Sequence, residues 1–386
     1  LRGEHPKLIV AHYPHKSLKN HFVYVGVQGV PPEMLGASDL FADSVVHNPR
    51  GERMKLRRRI RRLAALLLVS CCQLLGDAGS QEKIRLSHSA LETSNAVWFL
   101  AQERGFYKKH GVDADLLFIA STTTSVTSLL AGDMHMANAS GGAIASAVLA
   151  GAPIVIVACY LNSLPYELVV NEGIKSAEEL KGKSIGISRL GSASDVAARA
   201  LLRGLGLEPD KQVPIMQVGG SSERAAAFRV GRIAGFPSPP GIIHLTKGMP
   251  FRILISTADF KQRFEFPYIC AATTKSYLAR QRETVKKVIM AHIEAVHFVK
   301  TRKDESKKIM SKYARTTNED YLEAAYSASA RLYEVVPLVT RPGVEVQIKE
   351  ATSRKPGAQL RFEDMVDESI VRELSKSGFI DKVYKQ

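Results

Sequence analysis

The chain has 386 residues, 45% of them hydrophobic and 24% charged, a balance that excludes a disordered chain and leaves room for two domains of roughly 150 residues each. The formal net charge of +15 is unevenly spread: residues 1–71 hold 12 Lys and Arg against 5 Asp and Glu, and the other 315 residues carry only +8. That distribution, with no basic arm, zinc-finger spacing or aromatic sheet motif, excludes a nucleic-acid partner, and the modest field that remains suits an anionic ligand or a membrane surface.

Residues 1–53 mix Pro, His and Gly without sustained periodicity and are read as an upstream extension that is not part of the mature protein. Residues 54–80 have the layout of an export signal: Arg57-Arg58-Arg59-Ile60-Arg61-Arg62, then an uncharged run of fourteen residues, Leu63 to Gly76. A membrane span needs about 20 apolar residues, so a cleaved signal is expected rather than an anchor. Leu68-Val69-Ser70-Cys71 fits a lipobox, with Cys71 as the lipidated residue. Ala78-Gly79-Ser80 fits ordinary cleavage, and the apolar run through Leu75 favours that free, periplasmic form.

From Ile84 the pattern alternates. Ile84–Ser89 reads as a strand, Asn95–His110 as a helix stopped by Gly111, and Val112–Ile119 as a strand. Ser121–Ala131 is helical, Met134–Ala139 a strand, Ala143–Ala150 a helix and Pro153–Tyr160 a buried strand. A second series follows: a short helix at Ser176–Leu180 capped by Ser176 with Glu179 three residues on, a strand at Lys183–Ser188, a helix at Ala193–Leu205, a strand at Val213–Val218, a helix at Ser222–Val230, and strands at Ile233–Phe236 and Phe251–Ser256. Phe266–Thr274 is extended and apolar. Glu283–Lys300, Asp304–Tyr313, Asn318–Tyr333 and Asp364–Lys376 are helical. The fold class is therefore α/β, with parallel sheets covered by helices and a helical tail. Runs near Glu167–Asn171 and Phe266–Thr274 leave and re-enter the first unit, which makes two hinge crossings. The lobes are 83–168 plus 270–386, and 169–269, with a ligand cleft between them. Cys159 and Cys270 sit in apolar strand-like runs and are read as buried thiols, a disulfide being left open.

In open α/β lobes ligands bind beyond the C-terminal ends of strands, where helix N-termini point. Four junctions there are rich in Gly, Ser and Thr: Ser121-Thr122-Thr123-Thr124-Ser125, Asn138-Ala139-Ser140-Gly141-Gly142, Ser188-Arg189-Leu190-Gly191-Ser192-Ala193-Ser194 and Gly219-Gly220-Ser221-Ser222. A fifth runs from Ser89 through Glu92 to Ser94. Free N–H groups and short hydroxyls suit an oxyanion, Arg189 would clamp it bidentately, and Glu92 would accept an amine of a zwitterion. Each Ser or Thr also reads as a plain helix cap. Trp98 is read as core rather than ligand platform. Met134-His135-Met136 resembles a soft-metal cluster, but strand alternation sets His135 opposite the methionines. No Gly-x-Ser-x-Gly, His-Glu-x-x-His or P-loop occurs, so no catalytic residue, metal or cofactor is expected.

Three segments carry a resemblance. Ala101-Gln102-Glu103-Arg104-Gly105-Phe106-Tyr107, running to Gly111-Val112-Asp113, Leu129-Leu130-Ala131-Gly132-Asp133, and Ser176-Ala177-Glu178-Glu179-Leu180-Lys181-Gly182-Lys183 resemble segments of ABC-transporter substrate-binding proteins of the nitrate/sulfonate/taurine class. Gly191-Ser192-Ala193 is similar to the turn that follows. The resemblance implies a type II periplasmic-binding fold, a monomer, a small anionic or zwitterionic solute clamped between lobes, and delivery to a membrane permease with its ATPase. Two departures stand out: His135 replaces an acidic residue, and Gly231-Arg232-Ile233-Ala234-Gly235 lacks the family's Asp. The same family holds a thiamin-pyrimidine synthase branch with an iron-binding Cys motif, which this chain lacks after residue 80. An enzyme of that kind, or a ligand-sensing module of a signalling system, remains the alternative.

Overall fold

The computed structural model describes residues 8–14, 21–27, 82–241, 249–262, 264–353, 355 and 357–385. The export segment, with Cys71 and Cys72, lies outside the described residues. Residues 1–79 and 80–386 are separate compact units. In the first, strands β1 (Leu8–Pro14) and β2 (His21–Val27) pair antiparallel, from Leu8 opposite Val27 to Pro14 opposite His21. This corrects the reading of 1–53 as patternless: both runs are rich in β-branched and aromatic residues.

The second unit holds two five-stranded sheets. The first contains β3 (Glu82–His88), β4 (Val112–Phe118), β5 (Met136–Ala139), β6 (Ile154–Ser163) and, returning from late in the chain, β12 (Glu265–Thr274), in the order β4-β3-β5-β12-β6. The second contains β7 (Glu167–Asn171), β8 (Ile185–Ile187), β9 (Ile215–Gln217), β10 (Gly235–Ser238) and β11 (Phe251–Ser256), in the order β11-β7-β10-β8-β9. The helices are α1 (Ala96–Glu103), α2 (Phe106–Lys109), α3 (Thr122–Leu130), α4 (Gly141–Leu149), α5 (Ala193–Gly204), α6 (Ser221–Arg229), α7 (Lys275–Arg280), α8 (Arg282–Thr301), α9 (Lys303–Ala314), α10 (Glu319–Leu332), α11 (Arg341–Ser353), α12 (Phe362–Met365), α13 (Ser369–Lys376) and α14 (Phe379–Tyr384).

The sheets are mixed rather than parallel. β12 runs antiparallel to both β5 and β6, and β7 antiparallel to β10 and β11. The cause is the double crossing: a chain that leaves a sheet and returns through a second lobe re-enters in the opposite sense. The crossing at Leu164–Tyr166 is tied to the other by Thr257, whose N–H donates to the Tyr166 carbonyl at 2.9 Å and whose hydroxyl donates to the Leu164 carbonyl at 2.7 Å.

β6 is buried along its whole length. Ile154 and Ile156 face the cluster of α3, α4 and α11. Val155 and Val157 face the larger core, which includes α1 and α8. A strand buried on both faces loses alternation and reads as a continuous apolar run. Each buried Val or Ile contributes about 1.5–3 kcal/mol. Cys159 and Cys270 lie directly opposite on β6 and β12 and are joined as a disulfide, in place of the buried thiols expected.

Three helix expectations are corrected. Asn95–His110 is broken, because Gly105 at φ +69° ends α1 and starts α2. The turn at Glu178–Leu180 is not capped by Ser176; the Glu179 carboxylate instead accepts from the Lys175 N–H at 2.6 Å. Asp364–Lys376 is interrupted at Val366, which is extended and forms a single bridge to Ile156 at the sheet edge.

Candidate functional site

The strand-to-helix junctions of the two sheets face one another across a cavity of about 130 Å3. Its wall includes Ser89, Glu92, Ser121 and Thr122 from one lobe and Ser188, Ser192, Gly220, Ser221 and Arg224 from the other, with Tyr166, Tyr268 and Tyr321 closing the back. That volume is below the ~300–1,000 Å3 of drug-sized sites and fits a solute of few heavy atoms.

Arg224 is the charge at the centre. It lies in the first turns of α6, and helical side chains lean towards the N-terminus, so its guanidinium folds back over the start of its own helix. Nη1 donates to the Gly219 carbonyl at 3.3 Å and Nη2 to the Ser221 hydroxyl at 3.0 Å. Nε has no partner among the described residues, and the side chain is 3% exposed. A buried guanidinium with an unused N–H donor is a ready oxyanion site. The Ser221 hydroxyl donates in turn to Glu92 Oε1. Glu92 is 6% exposed, and burial lifts its carboxyl above the usual range, against the pull of Arg224.

The lobe-1 wall is built by α3. Its cap, Ser121, has φ +87°, a strained value for a residue with a side chain, and its buried hydroxyl has no partner among the described residues. Thr122 Oγ1 is 3.0 Å from Ser140 Oγ and accepts from the Ala193 N–H of the facing lobe at 3.4 Å. On that facing lobe Ser188, Ser192 and Ser194 form a buried triangle of hydroxyls 2.8–3.0 Å apart. At the back, Ser94 Oγ, Tyr268 OH and Tyr166 OH form a chain with 3.2 Å steps. Burial, and then the nearby Glu92, push the Tyr166 phenol up to about 12. The Tyr321 hydroxyl is buried, and its phenol is raised by burial and by Glu92, against the backbone of Thr93.

Of the residues singled out from sequence, Ser89, Glu92, Ser121, Thr122, Ser192 and Gly220 line the cavity. Ser94 and Ser140 stand one hydrogen bond behind it. Thr123 donates to the Leu190 carbonyl at 3.3 Å and so joins the lobes instead of facing the cavity. Gly141 packs close to Pro267, and a Cβ there would stand 3.1 Å from the proline ring. Gly191 and Gly219 lie outside the lining and provide positive-φ turns, +75° and +129°, before α5 and α6. Arg189 is exposed and donates to the neighbouring Ser188 carbonyl at 3.1 Å; it too is outside the lining. Trp98 is buried in the core, 4.5 Å from the His292 ring. His135 Nδ1 accepts from the Arg85 N–H at 2.9 Å, and no described group of three or more His, Cys, Asp or Glu is placed to hold a metal ion.

Arg224 and the three tyrosines were missed by the sequence reading, whereas Ser221 lies in the fourth junction singled out from sequence. One signal was available for Arg224: a cation in the first turns of a helix opposes the helix dipole, a local misfit that needs a compensating anion. Tyr321 arrives from the helical tail, about 230 residues after Glu92, and no local pattern announces it.

The NMT1/THI5-like family model matches residues 92–306, more than half of the chain. The chain belongs to the NMT1/THI5-like family. A protein of Brucella abortus (strain 2308) assigned by name to the binding proteins is 25% identical over 271 residues, 67% of this chain and 80% of that one. Two solved structures share the NMT1/THI5-like chain's fold. The periplasmic nitrate-binding protein of Synechocystis PCC 6803 has a TM-score of 0.64 at 15% identity, over 77% of this chain and 89% of that one. The periplasmic aliphatic sulphonate binding protein of Escherichia coli has 0.57 at 16%, over 75% and 93%.

Proposed function

We propose that this chain is the extracytoplasmic, periplasmic solute receptor of an ABC importer. It closes its two lobes on a small anionic or zwitterionic organic solute, with sulfonates, nitrate-like anions and pyrimidine-like compounds as the classes to test, and presents it to a permease driven by a separate ATPase. The observation that carries this reading is the Arg224 guanidinium, buried in the inter-lobe cavity among hydroxyls at the start of α6, with Nε unpartnered among the described residues. The Cys159–Cys270 disulfide suits an oxidising compartment. The relatives that share the fold include a nitrate-binding and a sulphonate-binding protein. Among the described residues no helix is long and apolar enough to cross a membrane.

Hydrogen bonds to a charged partner contribute about 1.5–3 kcal/mol, so Arg224→Ala weakens an oxyanion about 10- to 150-fold. Calorimetric titration of wild type and variant with a panel of sulfonates, nitrate and pyrimidines tests the reading. Folded wild-type protein that binds no member of the panel, or an R224A variant that binds an anion as tightly as wild type, would refute it.

A further inference from the structure

A carboxyl group stands in the same cavity as the guanidinium. Glu92 accepts from the Ser221 hydroxyl, which itself accepts from Arg224 Nη2. One hydroxyl therefore separates acid from base, across the two lobes. The carboxylate sits at the start of α6, where the helix dipole and free N–H groups favour a negative charge. It holds the place that a bound oxyanion would take. Around it stand Arg224 and Ser221 from α6, Tyr166 from the hinge crossing, Tyr268 from β12 and Tyr321 from α10, all buried except the half-buried Ser221. Glu223, on α6, adds a second carboxylate at the rim and is exposed. Among the described lining residues Arg224 is the sole cation.

We propose that Glu92 is the specificity determinant of the cavity: its carboxylate acts as an internal substitute for the ligand anion, so a solute with no cationic group binds at Arg224 only together with one proton carried by Glu92. The proposal rests on the anion-receptor reading above. An ionised Glu92 and an oxyanion on Arg224 would be two like charges in one desolvated site, and each disfavours the other. A proton taken from solvent onto one Glu92 carboxyl oxygen removes the conflict, and the Ser221 hydroxyl can still donate to the other oxygen. The raised affinity of Glu92 for its proton, caused by burial, brings that step nearer to neutral pH. A zwitterion resolves the same conflict by placing its ammonium group beside an ionised Glu92. The two solute types therefore have opposite pH dependences.

The experiment is calorimetric titration of the full chain between pH 4.5 and 8 with two probes that keep their sulfonate charge throughout, methanesulfonate and 2-aminoethanesulfonate, in buffers of different ionisation enthalpy. Above the titration of Glu92, wild-type affinity for methanesulfonate falls about tenfold per pH unit, with close to one proton taken up per anion. Affinity for 2-aminoethanesulfonate does not fall over the same range. In Glu92→Gln the methanesulfonate affinity is flat with pH. The proton count is read on wild type and so does not depend on the variant folding. Methanesulfonate binding to wild type without proton uptake, or the same slope in E92Q, overturns the role of Glu92 and leaves the receptor reading in place. Failure of wild type to bind either probe at every pH overturns this proposal for sulfonates, and with it the sulfonate part of the receptor reading.

Discussion

The Ser221 hydroxyl, on the first residue of α6, donates its hydrogen bond across the cleft to the carboxylate of Glu92, which precedes the turn leading into α1. This bond joins the two lobes through the cavity itself. It acts beside the contacts of Thr122 with the Ala193 N–H and of Thr123 with the Leu190 carbonyl. The two sides of the cavity are thus bridged by short polar groups around the buried Glu92 and Arg224 side chains.

The stability of the pair depends on pH with an unusual sign. The folded-state affinity of Glu92 for its proton is raised above the ordinary value of 4.5, so the folded chain holds more proton than the unfolded one just above that value. Its contribution is most favourable in acid and is lost as pH rises through the raised value. Glu92→Gln keeps the shape and an acceptor for Ser221 but has no charge to desolvate. The variant should be more stable than wild type at pH 8, with the gap closing towards pH 4.5. Urea midpoints at the two pH values measure it; a variant that is less stable at pH 8 would contradict the burial cost assigned to Glu92.

Gly142, on α4, sets how closely the lobes approach. A Cβ there would stand 3.1 Å from the Val196 side chain and 3.2 Å from the Gly191 carbonyl oxygen, both in the facing lobe. The same Cβ would stand 3.2 Å from Gln347 Oε1, a buried side chain of α11 in its own lobe, so Gly142→Ala presses on the inter-lobe contact and on that packing together. Overpacking costs about 1–3 kcal/mol, which would weaken ligand binding about 5- to 150-fold. Small-angle scattering should show a more open ligand-bound form. Unchanged affinity would mean that binding does not need this contact.

The sequence made the scaffold legible because its signals are local. Gly105, Gly111 and Gly132 stop helices at φ +69°, +74° and +81°, and the family-like segments around them position the fold. Tyr107, within one of those segments, is buried and bonded to His292, so its pattern marks core architecture and not ligand chemistry. The junctions were legible for the same reason, since hydroxyls and glycines cluster where a strand turns into a helix. What decides the site was not local. The Glu92–Ser221–Arg224 relay joins residues about 130 apart from the two sides of the cavity. Arg189 drew attention by lying inside a loop, but nothing in a loop sequence tells an inward guanidinium from one turned to solvent.

His292 offers a last test, away from the cleft. Its two ring nitrogens lie 2.6 Å from Tyr107 OH and 2.6 Å from Tyr160 OH, and the ring is fully buried against Trp98. A neutral imidazole serves both phenols, as donor at one nitrogen and acceptor at the other. Burial lowers its pKa from 6.5 to about 3. The unfolded chain therefore takes up a proton near 6.5 that the folded chain refuses until about 3. The stability from this group is complete above 6.5 and falls by about 1.4 kcal/mol per pH unit between those values. Other carboxylates also contribute to acid unfolding, so the measurement is a comparison. His292→Gln keeps a donor and an acceptor but no titration in this range. Between pH 7 and pH 4.5 wild type should lose about 2–3 kcal/mol more than the variant in urea denaturation. Equal losses would show that His292 is protonated in the folded chain at pH 4.5, and that the two tyrosines do not enforce a neutral ring.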